Sequence, residues 1–114
     1  RAYISTKEIT MSWFLLFSAI ILEVLATVQL KLSHGFTRFD HSLSTVMLFS
    51  LSLICAAFAF KKIDIGLAYA LWSGLGTVGI VAIGILYFNE PSSIIKIFFA
   101  CLIVVGVVGI NYYS

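Results

Sequence analysis

One acidic residue stands in the middle of an apolar segment that is long enough to cross a membrane. The segment "FSAIILEVLATVQLK", residues 17–31, carries Glu23 among apolar and small side chains. A charge at the centre of a membrane helix costs about 2.5–3.5 kcal/mol. Protonating a carboxylate with a reference pKa of about 4.3 at neutral pH costs about 3.7 kcal/mol. Because these costs are similar, Glu23 is predicted to bind either a proton or a cation, each expelling the other.

Helical spacing places small side chains beside Glu23. Residues three, four and seven positions away share its helical face, and they are Ala19, Ala26, Thr27 and Leu30. A small residue such as Ala26, one turn after the carboxylate, is expected to leave room for a ligand or another helix. No Lys or Arg occurs at the same depth, so the sequence offers no partner for a structural ion pair with Glu23.

A second set of polar and aromatic residues recurs at helical spacing in "GLAYALWSGLGTVG", residues 66–79. Tyr69, Trp72, Ser73 and Gly76 occur at i, i+3, i+4 and i+7, which places them on one stripe of a helix. Two aromatic rings beside a carboxylate suit a bulky or flat cation, because a cation–π contact contributes about 0.5–2 kcal/mol. Tyr69 is also expected to donate a hydrogen bond to Glu23. Alternatively, Tyr69 and Trp72 mark a membrane–water interface, where both residue types are enriched.

Other small residues predict helix packing. Gly74 and Gly76 permit close helix contacts or a bend. Ser52 is able to donate a hydrogen bond to its own helix or to Glu23. Gly106 and Gly109, which lie among small neighbours, indicate a contact between helices and not a substrate site.

The composition indicates that the elements carrying these residues are membrane helices. The chain has 114 residues, of which 61% are hydrophobic and 11% charged, whereas soluble domains have about 45–50% apolar and about 25% charged residues. A membrane helix needs about 20 apolar residues. We therefore predict an all-α membrane protein with four transmembrane helices, at about residues 12–31, 43–60, 65–88 and 94–113.

The two ends of this four-helix domain carry nearly balanced charge. We expect Met11 to be the natural start and residues 1–10 to be an added extension, so that residues 11–114 form one domain. From Met11 onward, one side of the membrane holds Lys61 and Lys62, and the other holds Lys31, Arg38 and Lys96. Positive charge in short loops sets orientation. This small bias is either a weak orientation signal that folding overrules or the mark of a chain that inserts in both directions and forms an antiparallel dimer. A dimer would also enclose a cavity that four short helices cannot.

Several other classes of function lack support in the sequence. His34 and His41 have no neighbouring metal-ligand residues, and the two cysteines, Cys55 and Cys101, lie in apolar surroundings, where Cys behaves as a small hydrophobe. We predict no metal, no cofactor and no enzymatic reaction. The net charge of +2 is too small to indicate nucleic-acid binding.

The residues from Met11 to Ser114 resemble the small multidrug resistance family of bacterial transporters. The segments "EVLATVQLKLSHGFTR" and "IGLAYALWSGLGTVG" carry the resemblance. It implies a homodimer or paired heterodimer in the bacterial inner membrane that exchanges protons for cations. It also implies that Glu23 binds both, that a kink lies at Gly74 and Gly76, and that Gly106 and Gly109 pack the dimer. The substrate-binding positions implied are Tyr69, Trp72, Thr27, Ala26, Ser52, Phe49 and Ser73.

Two branches of that family export different substrates, and the sequence has features of both. One exports quaternary ammonium and aromatic cations. The other exports guanidinium and typically has Trp where this chain has Ala26. The small residue favours the first branch, while "NEPSSIIKIFF" and Phe49, at a position often Tyr in multidrug members, favour the second. We predict quaternary ammonium export, with guanidinium export as the alternative. A non-transporting subunit of a membrane complex is a third hypothesis.

Overall fold

The computed structural model describes residues 6–113, and this part of the chain contains four helices. They are α1 (Thr6–Leu32), α2 (Phe39–Phe60), α3 (Ile65–Tyr87) and α4 (Ile94–Tyr112). All four are long and apolar enough to cross a membrane. The predicted all-α fold with four spans is therefore confirmed.

The first helix begins earlier than predicted. It starts at Thr6, whereas the apolar segment indicated a start near residue 12. The polar residues that precede the apolar segment continue the same helix. Lys62 Nζ lies 3.1 Å from Glu8 Oε1, and this ion pair joins α1 to the α2–α3 turn. An acidic side chain near a helix N-terminus is also favourable. Residues 1–5 lie outside the described residues, so the extension at residues 1–10 stays a prediction.

The second helix also begins early, at Phe39 instead of residue 43. The hydroxyl of Ser42 donates to the carbonyl of Arg38 over 2.6 Å, and Asp40 supplies a negative charge in the first turn. The negative charge of Asp40 stabilises a helix N-terminus that hydropathy alone does not reveal, whereas the Ser42 hydroxyl only bonds back to its own helix and does not cap it.

Small residues bring α1 and α2 together. Ala19, Ala26, Ser52, Ala56 and Ala59 are all buried, and small side chains let helix backbones approach closely. The Ser52 hydroxyl donates to the Ala19 carbonyl across the interface over 2.7 Å. Helices α1 and α2 make the most extensive helix contact of the fold, and this contact covers one face of α1, the helix that carries Glu23.

Glycines on α3 face a different helix on each side. A Cβ at Gly79 would lie 3.3 Å from Val24 of α1, and a Cβ at Gly74 would lie 2.6 Å from Val107 of α4. Among the described residues, α4 packs against α3 alone. The Cα atoms therefore form a thin layer of 47 × 36 × 17 Å, and most of α4 stays exposed.

The α1–α2 contact generates the first prediction. Replacing Ser52 by Ala removes the donor to the Ala19 carbonyl and should lower the free energy of unfolding by about 1 kcal/mol. Unfolding in mixed detergent micelles, followed by circular dichroism, measures the change. Ser50→Ala on the same helix is the matched control, because Ser50 is exposed. Equal stability of the two variants would contradict a structural role for the Ser52 hydroxyl.

Candidate functional site

A cavity of about 290 Å³ lies between α1 and α3 and is lined by the half-buried Glu23. Helix α1 contributes Glu23, Val24 and Thr27 to its lining. Helix α3 contributes the rest, which are Ser73, Gly76, Thr77, Ile80 and Val81. Four residues selected from the sequence, Glu23, Thr27, Ser73 and Gly76, therefore do meet at one place.

The Glu23 carboxylate packs directly against the backbone of α3. A Cβ at Gly76 would lie only 2.7 Å from Glu23 Oε1, so only glycine leaves the carboxylate this position. Oε1 is buried and has no hydrogen-bond partner among residues 7–113. A buried acceptor without a donor costs free energy, and a ligand that supplies a donor would recover it.

Three hydroxyl groups line the cavity together with Glu23, and each donates its proton to a carbonyl of its own helix. Thr27 Oγ1 donates to the Glu23 carbonyl over 2.9 Å, and Ser73 Oγ donates to the Tyr69 carbonyl over 2.8 Å. Thr77 Oγ1 donates to the Ser73 carbonyl over 2.7 Å. Because each hydroxyl has one proton and two lone pairs, the cavity offers these oxygens as acceptors. The polar lining therefore suits a ligand with several N–H donors.

The aromatic residues pack on one another beside this cavity and do not line it. Trp72 meets Tyr69 edge-on with ring centroids 6.3 Å apart, and it meets Phe60 in the same way at 6.1 Å. Trp72 Nε1 is buried without a partner among the described residues. The expected hydrogen bond from Tyr69 to Glu23 is not formed. Tyr69 lies seven residues before Gly76, which is about 10 Å along a helix, and its side chain is 59% exposed.

Three other predicted substrate-binding residues do not line the cavity. Ser52 is fully buried and donates to the Ala19 carbonyl, not to Glu23. Ala26 is fully buried, so the room expected beside it is filled within the chain. Phe49 is half-buried on α2. The side of α1 that carries Ala19 and Ala26 is buried within the chain. The cavity lies along the adjoining side of α1, which carries Glu23, Val24 and Thr27.

Sequence reasoning missed four of the lining residues, namely Val24, Thr77, Ile80 and Val81. Thr77 had a signal, because it follows Ser73 by four residues and therefore shares its helical face. The three apolar residues had none, since nothing in their type distinguishes them from other residues of a membrane helix. Among residues 6–113, no group of three or more His, Cys, Asp or Glu side chains is placed to hold a metal ion.

The predicted glycine positions on α3 and α4 differ in their surroundings. Gly74 packs against Ile103 and Val107 of α4, whereas no atom lies within 4 Å of a Cβ placed at Gly106 or Gly109. Close helix contact therefore accounts for Gly74. The predicted kink at Gly74 and Gly76 and the predicted dimer contact at Gly106 and Gly109 stay predictions.

Comparison with known proteins gives a consistent family. A family model described as Small Multidrug Resistance protein matches residues 11–103. A protein of Bacillus subtilis named "Uncharacterized membrane protein YvaE" is 43% identical over 89% of this chain and 85% of its own length. A "Guanidinium exporter" of Proteus vulgaris is 38% identical over 91% of this chain and 100% of its own length. A "Guanidinium exporter" of Escherichia coli K12 is 39% identical over 89% and 96%.

The contact between Glu23 and Gly76 generates the second prediction. A Gly76→Ala substitution should push the carboxylate out of its position and weaken cation binding about tenfold or more, since misplacement by about 1 Å at a site has large effects. Isothermal titration of the purified protein with a cation measures the affinity. Gly66→Ala on the same helix is the control, because no atom lies within 4 Å of its Cβ position. Wild-type affinity in Gly76→Ala would contradict the assigned packing.

Proposed function

The chain belongs to the small multidrug resistance family of membrane transporters, and we propose that it exports guanidinium-type cations in exchange for protons. The observation that carries the proposal is the set of acceptors around the cavity: one carboxylate oxygen without a partner and three hydroxyls whose protons are already donated. A guanidinium ion is planar and carries N–H donors around its edge, and such groups pair well with carboxylates. A quaternary ammonium ion has no N–H to donate.

The named relatives support the same substrate class. Curated proteins from several bacteria that are 38–40% identical to this chain over about nine-tenths of its length carry the name guanidinium exporter. These names favour guanidinium export, which the sequence analysis gave as the alternative, over quaternary ammonium export. The buried position of Ala26 also weakens the argument that a small residue there opens space for a bulky cation.

Glu23 supplies the coupling between protons and cations. Within the apolar layer its charged form is costly unless a cation neutralises it. A proton satisfies the same carboxylate, so a cation and a proton compete for one group. Protons bound from outside release the cation, and loss of those protons inside prepares the carboxylate for the next cation. No second ionisable side chain lines this cavity among the described residues.

An antiparallel dimer would complete the site. One chain is a layer only 17 Å thick between its outermost Cα atoms, and its cavity opens to one side. The outer surface of α4 is apolar and exposed, including Val104, Val105 and Val108. Gly106 and Gly109 leave open space on this helix, which suits close contact with a helix of a second copy. Two copies would then place two Glu23 carboxylates around one chamber.

Quaternary ammonium export is the second candidate, and the aromatic cluster of Tyr69, Trp72 and Phe60 is the observation that favours it. Ring faces attract a cation that has no hydrogen-bond donor. The Tyr69 side chain is 59% exposed, so a second chain or a rotation of Tyr69 would bring an aromatic face toward a ligand. A transport assay separates the two candidates.

The third prediction is the transport activity itself. In liposomes containing the protein, a guanidinium gradient should drive proton movement recorded by an internal pH-sensitive dye. Tetraethylammonium, which has no N–H donor, should give a much smaller signal. Glu23→Gln removes the exchangeable carboxylate and should reduce the guanidinium signal to that of empty liposomes. Glu8→Gln, which removes a carboxylate at the far end of α1, is the control and should retain the signal.

The outcomes assign the function. A stronger response to tetraethylammonium than to guanidinium would replace the proposal with multidrug export. Guanidinium transport by Glu23→Gln would contradict the role of the carboxylate. A folded wild-type protein that binds and transports neither cation would favour a non-transporting subunit.

The fourth prediction concerns the dimer. Gly106→Leu should weaken dimerisation about tenfold, because overpacking a close contact typically costs about 1–3 kcal/mol. Light scattering and single-molecule counting in lipid measure the dimer fraction. The added side chain meets no atom within 4 Å of its Cβ in the single chain, so the monomer should fold. Gly66→Leu is the matched control, because it makes the same substitution on α3, at a position that also has no atom within 4 Å of its Cβ. An unchanged dimer fraction in Gly106→Leu would place the dimer contact elsewhere.

A further inference from the structure

A second cavity of about 70 Å³ adjoins the first one and leads toward the C-terminal ends of α1 and α3. The two cavities share Thr27 and Ile80 in their linings. The second one adds a charged residue from each side, Lys31 and Glu90. Its remaining lining residues are apolar or glycine: Val28, Ile83, Gly84 and Phe88. The groove between α1 and α3 therefore runs from the half-buried Glu23 to a polar mouth.

Glu90 reaches this mouth because the chain folds back at the end of α3. Asn89 has a φ of +53°, a left-handed conformation that Asn adopts more readily than most residues. The reversal lets the backbone N–H of Glu90 donate to the Gly84 carbonyl over 3.0 Å. The Glu90 carboxylate then lies on Gly84, where any Cβ would overlap it.

The same arrangement therefore occurs twice along α3. The Glu23 carboxylate packs on Gly76, and the Glu90 carboxylate packs on Gly84. Eight residues separate the two glycines, which is about 12 Å along a helix. A cation that leaves Glu23 along the groove would meet the second carboxylate at the edge of the apolar layer.

The cationic side chains near this mouth contact groups other than the Glu90 carboxylate. Lys31 Nζ lies 5.4 Å from the centre of the Phe88 ring, within the range of a cation–π contact. Lys96 Nζ donates to the Pro91 carbonyl over 3.2 Å. Among the described residues, the ion pairs found within 4 Å involve Asp40 with His41 and Glu8 with Lys62, and neither includes Glu90.

We propose that Glu90 and the face of Phe88 form a peripheral binding site for the transported cation at the mouth of the groove. Lys31 competes with the substrate for this site, since the Lys31 ammonium occupies the face of Phe88 that a substrate cation would take. The carboxylate raises the local concentration of cations, and the route through Thr27 and Ile80 leads on to Glu23. This inference rests on the proposed function and adds a second acidic site to it.

The test compares Glu90→Gln with Asp40→Asn in guanidinium transport by the full-length protein in liposomes. Both changes remove one negative charge at the same end of the molecule, but Asp40 does not line the groove. At low ionic strength, Glu90→Gln should raise KM about three- to tenfold with unchanged kcat, because loss of a local charge lowers cation recruitment. The difference should shrink near 1 M salt, where the screening length falls to about 3 Å.

Two further variants separate the site from general electrostatics. Lys31→Gln removes the competitor and should lower KM. Gly84→Ala keeps the Glu90 charge but displaces the carboxylate from the groove, so it should raise KM, whereas Gly66→Ala should leave KM unchanged. Circular dichroism and size-exclusion chromatography establish that each variant is folded, and Gly84→Ala carries the test if Glu90→Gln does not fold.

The failure of this inference is distinct from the failure of the proposed function. Wild-type guanidinium transport with equal KM in Glu90→Gln and Asp40→Asn would overturn the peripheral site and leave the function standing. A loss of kcat without a change in KM would assign Glu90 a conformational role and also overturn the site. A wild-type protein that does not transport guanidinium would overturn both.

Discussion

The contact between the Glu23 carboxylate and the bare backbone of Gly76 couples the packing of α1 against α3 to the chemistry of the cavity. It brings α1 and α3 together at a point where any Cβ on α3 would collide with the acid. It also leaves a carboxylate oxygen buried without a donor among the described residues. In an apolar layer this oxygen gains most from a proton or a cation. Packing and chemistry therefore meet in one pair of residues.

The other helices leave the cavity beside this contact uncovered. Small residues, including Ala19, Ala26 and Ser52, hold α2 against α1, which leaves the adjoining side of α1 to α3. Helix α4 packs against α3 only among the described residues and so does not cover the cavity. The proposed dimer would close this cavity from the other side, and the apolar outer face of α4 suits contact with a second copy.

The polar groups of the cavity determine which cations it suits. Thr27, Ser73 and Thr77 donate their protons to carbonyls of their own helices, so their oxygens remain acceptors for a ligand. The aromatic rings, in contrast, contact each other beside the cavity. This division is the structural basis for proposing a flat cation with N–H donors as the substrate, and Glu90 on Gly84 extends the acidic character toward the mouth.

The four helices and the placement of Glu23 in an apolar layer could be predicted without a structure, because both follow from the hydropathy of local segments. The sequence also grouped Ser73 with Gly76 and Glu23 with Thr27, since helical spacing sets which residues share a face. Which neighbour covers each face depends on the packing of the helices against one another. This packing buries Ala26 away from the cavity, directs Ser52 to the Ala19 carbonyl and brings Thr77 to the lining. Helical periodicity defines faces, but contacts between residues distant in sequence decide what each face meets.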